Sequence, residues 1–346
     1  MEKFCEKMDR FIEAYTEAHG NTGYLRVTVK DRIVYEKNIG YANLEKKLPF
    51  HRGSLFALYS ISKPFCAIGL LRLMERGLVA LDAHPGRYVS QTLAFHPALT
   101  VRHLLQHISG VPDFMQTGQF HKKYASGLPH ELREQLTELG SYPMVFAPGE
   151  GQMYANINYI LCALIIENVT GRDYGEYLRE EVFTPLGMKT ARVDQPELQL
   201  ADRVQGYELT DGGAVPIDRF PHWMFGAGDI LATADDVYCL NRAIKHRLLL
   251  KAETWEQVLT PSPLNAMGMG CRVNVWHGKQ RITHNGGSDG FRTLHIQLPE
   301  DDLDIIYLSN SGWGDARGDY AEAVFKAWYG TDDGTRDAVE MDRGYI

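Results

Sequence analysis

A serine and a lysine three residues apart stand at the start of an apolar segment. In the stretch YSISKPF (59–65), Ser60 and Lys63 come just before the apolar run 65–77. With Ser60 at the N-cap of a helix, the two side chains share a face of its first turn. The positive end of the helix dipole disfavours an ammonium there, and a neutral lysine beside a hydroxyl can act as a general base. The spacing therefore predicts an activated serine nucleophile.

The same residues also fit an ordinary capped helix with a solvated lysine. A Ser-x-x-Lys match is expected about once by chance in a chain of this length. The helix that follows Lys63, however, is apolar on most faces as far as Arg72. A helix of that kind is buried, which would place Lys63 at an interior seam rather than in water. This context favours the catalytic interpretation.

A second polar stretch could supply partners for the lysine. Tyr154 and Asn156 follow the loop breakers Pro148 and Gly149 and precede an apolar helix. The tyrosine could relay a proton to a leaving group, and the amide of Asn156 could orient Lys63 or a substrate carbonyl. The stretch by itself fits better a tyrosine packed on the loop, with Asn156 as an N-cap.

A third stretch, His284-Asn285-Gly286-Gly287, is expected where a strand ends. Glycines let another backbone approach closely, so the Gly287 N–H could complete an oxyanion hole with the N–H of Ser60. Asn-Gly is also typical of a hairpin turn, and strands are expected on both sides of it. Both interpretations are compatible, since the edge of a hairpin can bind substrate.

Taken in order, Ser-x-x-Lys, Tyr-x-Asn and His-x-Gly resemble the penicillin-binding protein and serine β-lactamase superfamily. The sequence is most similar to the class C-like branch, with its DD-peptidases, D-aminopeptidases and esterases. The resemblance spans roughly residues 20 to 330 and includes further stretches: LTVRHLLQHISGVPDF (99–114), 147–171, TPLGM (184–188) and GAGDILATADD (226–236).

The resemblance implies a role for each motif, with no metal or other cofactor. Ser60 would be the acylated nucleophile, while Lys63 and Tyr154 would share general-base and general-acid work. Substrate binding would fall to Asn156, His284, Gly286, Gly287 and Phe114. His284 stands where many β-lactamases carry the lysine that is similar in role to a carboxylate anchor, which weakens the case for efficient β-lactam hydrolysis. Phe114 replaces a polar side chain of class C enzymes and implies a more apolar acyl pocket.

Three other patterns offer weaker alternatives. GGSDG matches the Gly-x-Ser-x-Gly elbow, but a strand pattern follows Ser288 where that motif needs a helix, and only His295 comes after it. His103 and His107 have a spacing that can bind zinc, yet no third ligand is apparent. Trp223 could line the site or cover the core.

The elements that must position these residues suggest an α/β (α+β) fold. An antiparallel sheet flanked by helices is expected from both termini, with an inserted, mostly helical domain. We expect residues 1–58 with 225–346 to form the sheet domain and 59–224 the helical domain, with the active site at their seam. Residues 191–230 show no regular pattern. Strands are expected at 23–30, 32–42, 269–276, 280–285, 291–298 and 303–310, and helices at 2–19, 155–171, 173–188, 233–244 and 315–329.

Composition excludes several other classes of function. The 346 residues carry a formal net charge of −8, which disfavours nucleic acid as a partner. No segment is apolar enough for a membrane span, and the N-terminus has no signal-peptide core, so a cytoplasmic location is expected unless a leader has been removed. The sequence predicts a serine hydrolase acting on a small-molecule or short peptide substrate. The alternative is a module that is acylated without turnover, or one that is inactive, and the oligomeric state stays open.

Overall fold

A six-stranded antiparallel sheet joins the two ends of the chain, with strand order β10-β11-β12-β13-β1-β2. The computed structural model describes residues 1–92, 94–113, 136, 139–140, 142–195, 198–217, 224–288 and 290–330. Phe114 and Trp223 lie outside the described residues. Strand β1 pairs with β13 from the C-terminal part, with Leu25 opposite Tyr307. The prediction of an antiparallel sheet built from both termini is confirmed.

Strand bounds follow the alternating sequence patterns closely in the large sheet. The strands are β1 Gly23–Val29, β2 Arg32–Ile39, β3 Tyr41–Asn43, β4 Leu48–Pro49, β5 Phe56–Ala57, β6 Arg192–Val193, β7 Tyr207–Thr210, β8 Gly213–Pro216, β9 Ile230–Ala232, β10 Arg272–Trp276, β11 Lys279–Ser288, β12 Phe291–Leu298 and β13 Leu303–Ser309. The expectation that 191–230 is irregular was wrong in part, because β7 and β8 form a short hairpin there. That hairpin is half exposed, so it lacks the apolar alternation that marks a buried strand.

The helices within the described residues are α1 Glu2–His19, α2 Ser62–Glu75, α3 Val101–Leu105, α4 Asn156–Thr170, α5 Tyr174–Leu178, α6 Ala234–Lys245, α7 Ala252–Leu259 and α8 Arg317–Tyr329. A π-helical turn, Arg179–Phe183, extends α5. Two predicted ends are confirmed: Gly171 closes α4 in the left-handed conformation, and Thr233 caps α6 in a capping box.

Two cores hold the sheet between helix layers. On one face, Phe4 and Met8 of α1 pack with Val324 of α8 and with Leu25 of β1. On the other face lies the larger core, where α2 and α4 pack against each other. Because both faces of the sheet are covered, every residue of the inner strands β12 and β13 except Arg292 is buried.

Helix α2 is buried on nearly every side from Ser62 to Leu71, as its apolar sequence predicts. The expected N-cap at Ser60 was wrong. A 3₁₀ turn, Tyr59–Ile61, precedes α2, and the cap position is Ile61 with no side-chain cap. Tyr59 has φ of +48°, a rare conformation for a non-glycine residue. Ser60 therefore lies in the 3₁₀ turn that begins at Tyr59, two residues before the first residue of α2.

The hairpin turn expected at Asn285-Gly286 was also wrong. Strand β11 continues to Ser288, with His284 paired opposite His295 of β12 and Gly287 opposite Arg292. The hydrogen-bonded register with β12 holds these glycines in extended backbone, and the connection falls after Ser288. The strand therefore carries the whole third motif along its length.

A small three-stranded sheet links segments that lie far apart in the sequence. Strand β9 pairs with β5, just before Ser60, and with β6. The pairing of β5 with β9 therefore holds the residues just before Ser60 next to the residues just after Ala227. The expected division of the chain at residues 58/59 and 224/225 stays a prediction.

Candidate active site

The side chains of Ser60 and Lys63 meet as the sequence predicts. The Lys63 amino nitrogen lies 3.0 Å from Ser60 Oγ, 2.8 Å from Asn156 Oδ1 and 2.7 Å from the Ala227 carbonyl oxygen. These three contacts come from the 3₁₀ turn, the first residue of α4 and the loop before β9. The lysine is fully buried, so its position is fixed by three separate segments.

Burial sets the protonation of Lys63. Removal from water lowers the pKa of its amino group from 10.5 to about 7, while the nearby carboxyl of Asp113 works in the opposite direction. The direction agrees with the expectation from the sequence, and the largest cause of the lowered pKa is desolvation. Since the group titrates near neutrality, a large fraction of it is available as a base at pH 7.

Tyr154 lies beside the lysine. The Lys63 nitrogen is 4.8 Å from the centre of the Tyr154 ring. The Tyr154 ring also stacks on that of His107, with ring centres 4.3 Å apart and an interplanar angle of 24°. The ring is also 6.2 Å from that of His284, so Tyr154 stands between the first and third motifs.

His107 is a support for this tyrosine. Its Nδ1 accepts a hydrogen bond from the Ala155 N–H at 3.1 Å, and burial lowers its pKa well below the usual value. The imidazole is therefore neutral and held in the loop. The pairing with His103 as a zinc site has no support, because His103 Nδ1 accepts from the Thr100 N–H in the capping box of α3. Within the described ranges, no group of three His, Cys, Asp or Glu side chains could hold a metal.

Asn156 is the first residue of α4, and its N-cap is Ala155 without a side-chain cap. The alternative of Asn156 as an N-cap is therefore wrong, and its side-chain oxygen accepts from Lys63 instead. Asp113 caps the N-terminus of α4, because its Oδ2 accepts a hydrogen bond from the Asn156 N–H at 2.5 Å. Sequence reasoning missed Asp113, although it is the acid in the loop GVPD that follows α3. It acts here as a cap supplied from another segment.

His284 is 5% exposed and uncharged. Burial holds its pKa far below the ordinary value, and the nearby charge of Lys63 adds to the effect. Its Nδ1 lies 2.8 Å from the Asn285 carbonyl oxygen. Since a carbonyl can only accept, Nδ1 carries the proton and Nε2 is the acceptor. Among the described residues, Nε2 has no hydrogen-bond partner. His284 thus offers a lone pair rather than a cation.

Gly286 lies where strand β11 runs against the turn that carries Ser60. A Cβ on Gly286 would stand 2.1 Å from the Leu58 carbonyl oxygen and 3.1 Å from the Ser60 backbone nitrogen. The same carbonyl accepts a hydrogen bond from Thr293 of β12 at 2.8 Å. Only glycine permits this approach. A Cβ on Gly287 would instead meet Arg292 Cδ at 3.2 Å.

The elements around Ser288 exclude it as the nucleophile of a Gly-x-Ser-x-Gly elbow. Ser288 is the last residue of β11, and the next element is strand β12 rather than a helix. A nucleophile elbow needs a strand, a tight turn and then a helix. His295 is fully buried and its Nδ1 is bonded to Asn241 Oδ1 at 2.8 Å.

Asp229 is a second residue that sequence reasoning missed. It lies two positions after Ala227, whose carbonyl holds Lys63, and it is fully buried. Desolvation raises its pKa from 3.8 to about 7, although the Gly226 N–H donates to its Oδ2 at 2.8 Å. Its Oδ1 has no hydrogen-bond partner within the described part of the chain. The stretch GAGDILA, in which this acid is followed by apolar residues, was the feature of the sequence that could have indicated a buried carboxyl group.

Comparison with known proteins agrees with this geometry. The family model described as Beta-lactamase matches residues 8–326, and the chain belongs to that family. A penicillin-binding protein of Bacillus subtilis (strain 168) is 28% identical over 343 residues, covering 92% of this chain and 74% of its own length. A D-aminopeptidase of Gluconobacter oxydans (strain 621H) is 24% identical and covers 89% of this chain and 59% of its own. The chain spans about three-fifths of the length of such D-aminopeptidases.

Solved structures agree on the fold. The octameric penicillin-binding protein homologue from Pyrococcus abyssi has a TM-score of 0.84 and 26% identity, covering 94% of this chain and 77% of its own. The D-amino acid amidase from Ochrobactrum anthropi SV3, complexed with D-phenylalanine, has a TM-score of 0.81 and 22% identity, with coverages of 94% and 98%. The resemblance to the penicillin-binding protein and β-lactamase superfamily is confirmed. Among the helices described, none is both long and apolar enough to cross a membrane.

Proposed function

We propose that this protein is a serine hydrolase that works through an acyl-enzyme. The observation that carries the proposal is the 3.0 Å contact between the Lys63 nitrogen and Ser60 Oγ, made by a lysine whose pKa is lowered to about 7. A buried amine that is about half neutral at pH 7, at hydrogen-bond distance from a hydroxyl, is the arrangement of a general base and its nucleophile. Membership of the beta-lactamase family supports the same chemistry.

In this proposal, Lys63 takes the proton of the Ser60 hydroxyl as Oγ bonds to the substrate carbonyl carbon. The N–H groups of Ser60 and Gly287 stabilise the resulting oxyanion. Collapse of this intermediate breaks the bond to the leaving alcohol or amine, which receives a proton through Tyr154. Water then attacks the acyl ester, with the same two groups moving the proton, and Ser60 is released. Asn156 orients both the lysine and the substrate.

The preferred substrate class is a D-amino acid peptide or a small ester. D-aminopeptidases among the relatives and a D-amino acid amidase among the structural neighbours support the first. The neutral His284 argues against a site built to anchor a substrate carboxylate by charge. β-Lactam hydrolysis is therefore the weaker candidate. The protein needs no metal or cofactor for these steps, and a small-molecule or short peptide partner is sufficient.

Steady turnover tests the proposal against acylation without turnover. We would measure hydrolysis of D-alanine p-nitroanilide, its L enantiomer and p-nitrophenyl butyrate by the full chain and by Ser60→Ala. Continuous product release that requires Ser60, with D preferred over L, supports a D-peptidase, and turnover of the ester alone supports an esterase. One stoichiometric burst without further release would indicate an acylated sensor, and the enzyme proposal would fail.

A further inference from the structure

We propose that Arg317 is a positioning residue that fixes and polarises the Gly286–Gly287 peptide, so that the Gly287 N–H serves as an oxyanion donor. Arg317 is the first residue of α8 and belongs to none of the three motifs. Its Nη1 donates to the Gly286 carbonyl oxygen at 2.7 Å, and the arginine is 7% exposed. The inference rests on the proposed function, since it assigns a role in oxyanion stabilisation.

The guanidinium is itself held in place. Arg317 Nε and Nη2 donate to the two carboxylate oxygens of Asp315 at 2.7 Å and 2.5 Å. Burial alone would raise the pKa of Asp315, but the Arg317 guanidinium more than offsets this and holds it below the usual value. The bidentate pair leaves Nη1 directed at the strand. A planar, delocalised cation locked on two sides is a rigid donor.

Peptide geometry carries the effect of Arg317 from one residue to the next. The Gly286 carbonyl and the Gly287 N–H belong to a single planar trans unit, and the described backbone has no cis peptide. The two groups therefore point in opposite directions. A donor on the Gly286 oxygen fixes the direction of the Gly287 N–H and, by polarising the amide, makes that N–H a stronger donor.

Strand register gives the direction of that N–H. Strands β11 and β12 are joined by a two-residue connection between the paired residues Ser288 and Phe291. Because only two residues separate Ser288 from Phe291, this pair can only be a hydrogen-bonded one. Hydrogen-bonded and open pairs then alternate, so the Gly286–Thr293 pair is bonded and Gly287 points away from β12.

On the side of β11 that faces away from β12, no other described strand pairs with Gly286 or Gly287. Strand β10 pairs only with residues 279–283 of β11. The turn that carries Ser60 contacts β11, and Gly286 lies against Leu58 and Ser60. The Gly287 N–H thus faces the edge next to the nucleophile, with Arg317 acting on the far side of the same peptide. A distant cation can in this way strengthen the oxyanion hole without touching substrate.

The test compares Arg317→Met and Arg317→Lys with Arg292→Met in the full chain. Arg292 is the matched control, since it donates to the carbonyls of Ser288, Phe291 and Gly312 but not to that of Gly286. We would measure the acylation rate constant with an activated ester and KM. We would also measure affinity for a boronic acid that places an oxygen anion in the hole, and the infrared stretch of a ¹³C-labelled acyl carbonyl.

We expect Arg317→Met to lower the acylation rate constant and boronate affinity together, by about 10- to 100-fold, with KM within about twofold. The acyl carbonyl stretch should move to higher wavenumber because its hydrogen bonds weaken. Arg317→Lys, which keeps a cationic donor, should recover part of each effect, and Arg292→Met should stay within about threefold of wild type.

A folded Arg317→Met protein with wild-type acylation and carbonyl stretch would overturn the proposal, as would equal losses in Arg292→Met. If Arg317→Met does not fold, Arg317→Lys decides by the same readouts, since a weakened donor must still shift the carbonyl stretch. Failure of the proposed function itself is distinguishable, because the wild-type protein would then form no acyl-enzyme at all.

Discussion

Lys63 and Asp229 are both fully buried, and their pKa values converge on about 7, the lysine from above and the aspartate from below. Each is also among the charges that shift the other. The nucleophile's base is therefore coupled electrostatically to a second group that titrates in the same pH range. This coupling makes the pH dependence of the protein the most informative probe of the site.

Acylation should rise with pH through the range around 7. Lys63 acts as a base only when neutral, and its lowered pKa of about 7 places that change between roughly pH 6 and 8. The acylation rate constant of an activated ester, measured by burst kinetics, should level off above about pH 8. Lys63→Met should lose acylation by about a thousandfold or more. A rate that keeps rising to pH 10 would mean that the lysine keeps its ordinary pKa.

Asp229→Asn should shift the acidic limb of that profile to lower pH. The aspartate charge raises the pKa of Lys63, so its removal lowers that pKa further. The amide oxygen of the introduced asparagine can still accept the bond from the Gly226 N–H. Acylation at pH 7, where about half of Asp229 is charged in the wild type, should therefore increase relative to its plateau. An unchanged profile would show that the two groups are not coupled.

The same substitution should also change stability in a pH-dependent way. The folded pKa of Asp229, about 7, lies above the unfolded value of 3.8. Between these values the unfolded chain releases a proton that the folded protein retains, so stability falls as pH rises from about 4 to 7. Asp229→Asn should raise the free energy of unfolding at pH 8, by at most about 4 kcal/mol, with no gain at pH 4.

Asp304→Asn is the matched control for both Asp229 effects. Asp304 is buried and desolvation raises its pKa to about 7, while Lys63 is not among the charges that act on it. Asp304→Asn should raise the free energy of unfolding at pH 8 as Asp229→Asn does, but it should leave the low-pH side of the acylation profile unchanged. Urea unfolding at pH 4 and pH 8 measures the first and burst kinetics the second. A shifted limb in Asp304→Asn would contradict the assignment to Asp229.

Gly286→Ala should reduce acylation by about 100-fold, because the new methyl would lie 2.1 Å from the Leu58 carbonyl oxygen and force β11 away from Ser60. The overlap should also cost about 1–3 kcal/mol of stability. Gly212→Ala is the control, since the nearest atom to its Cβ would be Thr210 Oγ1 at 3.7 Å. Acylation rate and urea midpoint measure the two effects. Normal acylation by Gly286→Ala would show that this close contact is not required.

His284→Lys should create a preference for substrates with a carboxylate on the leaving group. The wild-type imidazole is neutral because burial lowers its pKa, so it provides no charge to such a group. KM for a D-peptide with a free carboxylate should fall by about tenfold relative to the same peptide as an amide. In the wild type the two values should be similar. A wild-type preference for the carboxylate that His284→Gln abolishes would contradict the neutral assignment.

Sequence patterns predicted the large sheet and the meeting of Ser60, Lys63 and Asn156. Strand alternation gave β12 its bounds of 291–298, and the apolar helix after Lys63 indicated burial. Both signals come from periodicity, which reports how a segment meets the core.

What the sequence did not reveal depends on contacts between distant segments. Asp113 caps α4 from another loop, and Arg317 reaches β11 from the start of α8. The turn at Tyr59 is enforced by tertiary packing against a preference for negative φ. No local pattern marks such residues, because their partners are set by the fold.

The most direct test of the central claim is the intact mass of the protein after incubation with a fluorophosphonate and, separately, with a penicillin. The account predicts one fluorophosphonate adduct per chain on the wild type and none on Ser60→Ala, because the Lys63 amine lies at hydrogen-bond distance from the Ser60 hydroxyl and activates it. A penicillin adduct that also requires Ser60 would favour a peptidase over a pure esterase. No adduct on the wild type, or an equal adduct on Ser60→Ala, would contradict the assignment of Ser60 as the nucleophile.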